Sequence, residues 1–271
     1  GVSEITLEAP SGGTFQTGEW YYIVALPTEL SEGFRMVFYK GDDSFYTKFT
    51  TAVTIKRGVF GSKQEVDVIS TEHEYVDLGL PSGLLWATCN IGAESPEEYG
   101  DYFAWGETST KTSITQYNYK FYERDKETGN FKLTKYNYDS VYGIVDNKYT
   151  LELEDDAAWV NGGGKWRMPT KEEQDELLSA DNCTWVWTTQ NGVEGLKIIS
   201  NKNNNSIFLP AAGVYGETGL GDAKKCGYYW SSTLRESSPR GALSINFVEY
   251  ASFPSNFYSR YLGISVRPVM G

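Results

Sequence analysis

The stretch Pro169-Thr170-Lys171-Glu172-Glu173 contains the clearest helix start in the sequence. Thr170 is followed three residues later by Glu173, which is the spacing of a capping box. In this arrangement each of the two side chains accepts a hydrogen bond from the backbone N–H of the other residue. Leu177 and Leu178 then supply a buried face. The sequence therefore predicts a helix that begins at Thr170.

Outward from this helix, one further helix and a hairpin are predicted. Residues 154–160 open with an acidic turn, which favours a helix start, and glycines at 162–164 stop the pattern. Beyond the first helix, the apolar segments 196–199 and 206–210 flank a polar stretch at 201–205. Such a pattern is typical of two strands joined at a hairpin tip.

Alternation elsewhere predicts strands with one buried face. In Trp185-Val186-Trp187 both indoles would lie on one side, and core packing is favoured over a platform for stacking sugars. At residues 243–248, we expect Leu243, Ile245 and Phe247 to be buried and the intervening residues to face solvent or a partner. Two helices among many short strands indicate an α+β fold.

The first seventy residues have a different texture. Strand-like segments at 20–26, 34–39 and 52–56 are separated by turns, which predicts a small all-β module. The polar stretch at 67–74 is the best candidate for a boundary. We therefore expect two domains, residues 1–72 and residues 73–271.

Composition excludes several chemistries. The 271 residues contain 24 Lys and Arg against 36 Asp and Glu, a net charge of −12, which argues against nucleic-acid binding. A single histidine, His73, cannot serve Ser-His-Asp, Cys-His and zinc sites together, and its place in the boundary predicts an exposed linker residue. Cys89, Cys183 and Cys226 allow at most one disulfide and form no CxxC pair.

Two other groups of residues were weighed as sites. The first is an acidic cluster that could hold calcium or act as hydrolytic carboxylates; it consists of Glu94, Glu97, Glu98, Asp101 and Glu107. This cluster lacks the Asp or Asn residues at alternate positions, closed by a glutamate, that a calcium-binding loop contains. The pattern of part of the cluster is typical of a solvated turn. The second comprises glycine-rich stretches at 161–166 and 213–221, which fail the phosphate-loop and dinucleotide fingerprints. We therefore expect no metal and no cofactor.

Six ordered blocks of sequence carry a family resemblance. They are Tyr75-Val76-Asp77-Leu78-Gly79-Leu80-Pro81-Ser82-Gly83-Leu84-Leu85-Trp86 with its continuation to Gly106, Trp166-Arg167-Met168-Pro169-Thr170, Thr184-Trp185-Val186-Trp187-Thr188-Thr189, Ile207-Phe208-Leu209-Pro210-Ala211-Ala212-Gly213, Gly227-Tyr228-Tyr229-Trp230-Ser231-Ser232 and Ser265-Val266-Arg267-Pro268-Val269. Together they resemble the Fibrobacter succinogenes major paralogous domain. The resemblance implies a C-type-lectin-like fold, with a last strand able to close on residues 75–87, and a surface protein of gut anaerobes.

Departures from related proteins limit what this resemblance implies. The paired cysteines of the formylglycine-generating enzyme have no counterpart, since Cys226 is the only cysteine in the C-terminal third. The signatures of calcium-dependent sugar-binding lectins are also absent, because Trp230 is followed by Ser231-Ser232. The fold is therefore expected to transfer, whereas enzyme activity and calcium-dependent sugar binding are not.

The N-terminal residues resemble a second family. Residues 18–27 and 53–58 are similar to the end of a fimbrillin-like domain, the β-sandwich of bacterial pilus subunits. The resemblance implies a partial or strand-donating pilin module at 1–72.

In C-type-lectin-like receptors the stretch between the last two blocks forms the ligand face. The aromatic residues of this stretch offer a rigid contact area, and its serines offer small hydrogen-bonding groups. Its arginines, Arg260 among them, offer charged anchors. The expected ligand-binding residues are Arg235, Glu236, Arg240, Ser244, Glu249, Tyr250, Phe253, Phe257, Tyr258 and Tyr261. Some of the aromatics, such as Phe247 and Phe257, could instead close the core. Residues 226–271 carry four arginines and two glutamates, so the segment is slightly basic.

These observations predict a bacterial surface protein that binds a carbohydrate or protein ligand through its C-terminal segment. We expect an extracellular or outer-membrane location, with a lipid anchor or a pilus association. One alternative is a structural pilus or adhesin component that contacts neighbouring subunits. Another is a carbohydrate-active enzyme that uses the acidic cluster.

Overall fold

A computed structural model describes strands between residues 28 and 70, and the continuous ranges 74–249 and 256–271. The spatial contacts between Cα atoms divide the chain into two compact units, Gly1–Glu72 and His73–Gly271. The likeness of these units to the two families stays a prediction.

The first unit contains short antiparallel strands. They are β1 (Thr28–Leu30), β2 (Phe34–Lys40), β3 (Asp43–Phe49), β4 (Val53–Ile55) and β5 (Ile69–Ser70). β1 pairs with β4, and β3 lies between β2 and β5. The strands predicted at 34–39 and 52–56 are confirmed, the second in shorter form, and the one predicted at 20–26 lies outside the described residues.

The second unit combines two helices with several short antiparallel sheets. Its strands are β6 (Tyr75–Asp77), β7 (Leu85–Ala87), β8 (Tyr122–Arg124), β9 (Phe131–Leu133), β10 (Cys183–Gln190), β11 (Val193–Ser200), β12 (Ser206–Pro210), β13 (Val214–Gly216), β14 (Gly219–Gly221), β15 (Cys226–Leu234), β16 (Gly241–Val248), β17 (Asn256–Ser259) and β18 (Val269–Met270). Three-stranded sheets form in the orders β10-β11-β12, β15-β16-β17 and β18-β7-β6, and β8-β9 and β13-β14 are hairpins. The predicted hairpin is confirmed as β11 and β12.

The helix at Lys171–Leu178 starts where its sequence signal predicts, whereas the one at Ala157–Asn161 starts three residues later than predicted, because Leu153–Asp155 form a 3₁₀ turn instead. α1 (Ala157–Asn161) is capped by Asp156, whose carboxylate accepts hydrogen bonds from two backbone N–H groups, and a 3₁₀ turn precedes it. α2 (Lys171–Leu178) has the full capping box: Thr170 Oγ1 accepts from the Glu173 N–H at 3.3 Å, and Glu173 Oε2 accepts from the Thr170 N–H at 2.8 Å.

The two ends of the second unit meet in one sheet. β18 pairs antiparallel with β7, so that Val269 lies opposite Trp86. This pairing confirms the predicted closure of the last strand on residues 75–87. One core cluster contains Trp105 and Trp230, and a second contains Trp86.

Strand β10 shows the predicted one-sided burial. Trp185 and Trp187 both pack against the second core cluster, whereas Val186 between them is 45% exposed. The core interpretation of the two indoles is therefore confirmed.

Strand β16 differs from the prediction. Ile245 and Phe247 are buried as expected, but Ser244 is also fully buried and Leu243 is only half-buried. The reason is that both faces of β16 are covered, since Ala242 packs into one core cluster and Ile245 and Phe247 pack into the other.

The three cysteines are unpaired. Cys89 and Cys183 are buried thiols and Cys226 is half-buried. Burial raises the pKa of the Cys183 thiol to about 11, which disfavours the reactive thiolate. None of the helices in the described ranges is long and apolar enough to cross a membrane.

Candidate ligand-binding face

The structure separates the ten predicted ligand-binding residues into three groups. Seven are exposed or half-exposed: Arg235, Glu236, Arg240, Glu249, Phe257, Tyr258 and Tyr261. Ser244 is fully buried in β16, so its place on a ligand-binding surface is corrected. Tyr250 and Phe253 lie outside the described residues, as does His73.

The predicted charged anchor Arg260 is also corrected. Its side chain is fully buried, and Arg267 is 1% exposed. The segment's basic surplus therefore lies inside the protein. The charged side chains of the segment that remain at the surface are Arg235, Glu236, Arg240 and Glu249.

Arg235 and Phe257 form a stacked pair at one end of the β15-β16-β17 sheet. The Arg235 guanidinium lies over the Phe257 ring, and that ring remains 44% exposed. Gly241 lies beneath them, where a Cβ would stand 3.3 Å from the Phe257 ring and 3.4 Å from the Arg235 side chain. The missing side chain at Gly241 therefore leaves the space that the pair occupies.

Arg240 makes a similar arrangement at the other end of the β15–β16 connection. Its guanidinium carbon lies 5.2 Å from the centroid of the Tyr142 ring, and Nη2 donates to the Phe131 carbonyl at 3.5 Å. The Phe131 ring stacks on Tyr122 at 5.5 Å and meets Tyr117 edge-on at 5.2 Å. Arg240 thus connects the β8–β9 hairpin to the C-terminal sheet.

Tyr138 completes the surface on the side of Arg235. Its hydroxyl donates to the Arg235 carbonyl at 3.4 Å, and its ring stacks nearly parallel to Tyr149 at 5.4 Å. We call the resulting surface the aromatic–arginine face. Its members are Tyr117, Tyr122, Phe131, Tyr138, Tyr142, Tyr149, Arg235, Arg240 and Phe257.

One carboxylate fixes the base of the loop at residues 137–148. Asp146 accepts hydrogen bonds from the backbone N–H groups of Tyr136 and Asn137 at 2.8 Å and of Lys148 at 3.2 Å. Burial alone would raise the pKa of Asp146, but these donors outweigh it and hold the pKa below its usual value.

The amide of Asn137 closes the same loop from inside. This residue is fully buried, and its Nδ2 donates to the Asp139 carbonyl at 2.9 Å and to the Ile144 carbonyl at 3.0 Å. The Asn137 Oδ1 in turn accepts from the Asp139 N–H at 3.1 Å. The loop that carries Tyr142 is therefore ordered by its own polar side chains.

Gly143 lets this loop approach strand β9. The Leu133 N–H donates to the Tyr142 carbonyl at 2.7 Å, and the Leu133 carbonyl accepts from the Ile144 N–H at 2.8 Å. Gly143 has φ +143°, and a Cβ there would overlap the backbone of Leu133. Any side chain at Gly143 would push the loop away from β9.

The substitution Gly143→Ala is expected to lower the free energy of unfolding by about 3 kcal/mol, because it combines a strained φ with a backbone clash. Gly192→Ala is the matched control, since Gly192 has φ +84° but nothing within 4 Å of a Cβ. The control should cost only about 1 kcal/mol. Urea denaturation of both variants checks this, and equal losses would contradict the role given to Leu133.

The five side chains of the acidic cluster do not converge on one point. Glu97 Oε1 accepts from the side-chain amides of Gln190 at 2.6 Å and Asn191 at 2.9 Å, and the Gln190 bond contributes most to its lowered pKa. Glu107 pairs with Lys111 at 2.7 Å. No three of the five acids lie close enough together to share one ion.

Within the described ranges, one acidic trio does lie close enough to share an ion: Glu152, Glu154 and Asp155. The ammonium of Lys135 ion-pairs with all three, at 2.6, 3.1 and 2.5 Å. Burial alone would raise the pKa of Asp155, but its bonds to Lys120, Lys135 and Tyr136 outweigh burial and lower it. The trio is thus already neutralised by lysine.

Sequence reasoning missed the half of the face contributed by residues 117–149. Seven of the chain's 20 tyrosines lie in that range, and this density was a usable signal. A short repeat also marks it, since Ile114-Thr115-Gln116-Tyr117-Asn118-Tyr119 resembles Leu133-Thr134-Lys135-Tyr136-Asn137-Tyr138.

Comparison with protein-family models, with curated proteins and with solved structures gave no match to this chain.

Proposed function

We propose that the chain is a bacterial surface protein that binds a carbohydrate or protein ligand through the aromatic–arginine face. The observation that carries the proposal is the face itself: aromatic rings that remain partly exposed, with two guanidinium groups stacked among them. Tyrosine, phenylalanine and arginine in such a setting give a large, rigid contact area at low entropic cost.

The fold assignment belongs to the same proposal. A C-type-lectin-like fold for residues 73–271 is supported by the family resemblance, by the two helices among short antiparallel sheets, and by the closure of β18 on β7. A fimbrillin-like module at residues 1–72 is supported by its sequence resemblance. The extracellular or outer-membrane location, with a lipid anchor or pilus association, follows from these two resemblances.

Arrays of glycans and glycoproteins probed with the full chain test the proposal. Arg240→Ala and Phe257→Ala are each expected to weaken binding about tenfold, because truncation of a central aromatic or arginine contact commonly costs 1–2 kcal/mol. Leu220→Ala is the matched control, since Leu220 in β14 is also 44% exposed but lies outside the face. Equal losses in all three variants would indicate a general effect on folding.

The alternative of a structural pilus or adhesin component makes a different prediction for the same chain. It requires that the chain bind nothing on the glycan and glycoprotein arrays and that it assemble into filaments, which electron microscopy would show. Filaments that persist in Arg240→Ala, with no array signal for the parent chain, would replace the binding proposal.

A further inference from the structure

The loop at residues 137–148 displays aliphatic side chains beside the two stacked arginines. Val141 is 82% exposed, Ile144 61% and Val145 41%. These residues flank Tyr142, whose ring contacts Arg240. The loop is held by Asp146 and Asn137, as described above, so the exposed side chains are presented by an ordered backbone.

The guanidinium groups of Arg235 and Arg240 are oriented without being neutralised. Neither forms an ion pair with a carboxylate in the part of the chain that the structure describes. Within the described ranges, the one hydrogen bond that either guanidinium donates runs from Arg240 Nη2 to the Phe131 carbonyl. An arginine stacked on a ring keeps most of its donors for a ligand, and its planar fork matches a carboxylate.

We propose that the ligand of the aromatic–arginine face is a protein segment that carries carboxylates next to apolar side chains. This inference rests on the proposed binding function and chooses between its two ligand classes. Branched aliphatic side chains gain free energy by removing apolar surface from water against another apolar surface. A protein segment offers such side chains, whereas a sugar is covered mostly by hydroxyl groups.

A separate protein suits the face better than a second copy of this chain. In a two-fold symmetric contact the same surface meets itself, so the arginines of both copies would share one interface. Like charges placed together disfavour that contact. A partner with Asp or Glu at the rim and Leu, Ile or Phe at the centre complements both features.

A phage-displayed library of random twelve-residue peptides, selected on the full chain, tests this inference. Selected peptides should be enriched in Asp and Glu next to large apolar residues. Their affinity should fall at least about tenfold in the double variant Arg235→Gln/Arg240→Gln and, separately, in Val141→Ser/Ile144→Ser. Lys202→Gln is the control, because Lys202 is an exposed cation in the β11–β12 connection, outside the face, and should leave affinity unchanged.

Each other outcome overturns the inference. The selected peptides could lack acidic residues, or acidic peptides could still bind the double arginine variant. Either result would show that the arginines do not bind carboxylates of the ligand. A glycan hit lost in Arg240→Ala, with no peptide selected, would keep the binding function and remove the protein ligand. Self-association abolished by the arginine variant would assign the face to a second copy. If no peptide is selected and nothing on the arrays binds, both the proposed binding function and the proposed protein ligand are removed.

Discussion

Replacing Arg267 with methionine is expected to lower the free energy of unfolding by about 4 kcal/mol or more, because several buried acceptors lose their donor at once. A loss of this size is a large fraction of the stability of a typical domain, which is about 5–15 kcal/mol. The second unit should then unfold at a markedly lower urea concentration.

The reason is the set of bonds that the Arg267 guanidinium makes. Nε donates to Asn90 Oδ1 at 2.9 Å, Nη1 to the carbonyls of Ala87 at 3.1 Å and Thr88 at 2.6 Å, and Nη2 to the carbonyl of Phe208 at 2.9 Å. The Arg267 side chain is 1% exposed, and this burial lowers the pKa of its guanidinium. Methionine can fill the volume but can donate to none of these acceptors.

Urea denaturation followed by tryptophan fluorescence measures this loss. Arg124→Met is the control: Arg124 is exposed and makes one bond, to the Gly129 carbonyl at 3.3 Å, so its loss should stay within about 0.5 kcal/mol. Arg267→Lys should fall between the two, since an ammonium cannot span acceptors on both sides. Similar values for Arg267→Met and Arg124→Met would contradict the proposed role of the buried guanidinium.

Replacing Arg260 with methionine is expected to cost about 3–5 kcal/mol for the same physical reason. Its Nε donates to the Tyr119 hydroxyl at 2.9 Å, Nη1 to the carbonyls of Tyr136 and Pro239 at 3.0 Å, and Nη2 to the Lys135 carbonyl at 3.1 Å. Stacking on the Trp105 ring, 4.8 Å from the guanidinium carbon, adds to this loss.

The Arg260 variant should differ from the Arg267 variant in where it acts. Lys135 and Tyr136 lead into the loop at 137–148, and Pro239 precedes Arg240, so Arg260 holds together the two halves of the aromatic–arginine face. Under mildly destabilising conditions, Arg260→Met should speed amide hydrogen exchange at residues 135–149 more than in the β10-β11-β12 sheet. Uniform acceleration in both regions would contradict this local role.

Local patterns predicted those parts of the fold that neighbouring residues determine. The capping box at Thr170 and Glu173 lies within four residues, and the β11–β12 hairpin is formed by adjacent segments. The alternation in Trp185-Val186-Trp187 predicts correctly which side chains pack against the core, because β10 is covered on one side only.

The same patterns could not predict contacts between residues far apart in the chain. Arg260 was expected to be a charged anchor at the surface, and its burial and that of Arg267 could not be predicted, because partners such as Tyr119 and Ala87 lie well over a hundred positions away. Ser244 looked outward because nothing local shows that core clusters would cover both faces of β16. Only the C-terminal half of the aromatic–arginine face was predicted. The other half, at residues 117–149, was missed because the contact of Arg240 with Phe131 arises only when distant parts of the chain fold together.

The central claim is that the aromatic–arginine face is the ligand-binding surface. Amide hydrogen exchange of the full chain, with and without a ligand selected on the arrays or from the peptide library, tests it most directly. The account predicts slower exchange in the bound state at residues 138–149 and 235–241, with β10 and β11 unchanged. Protection confined to β10 and β11, with these two stretches unaffected, would contradict it.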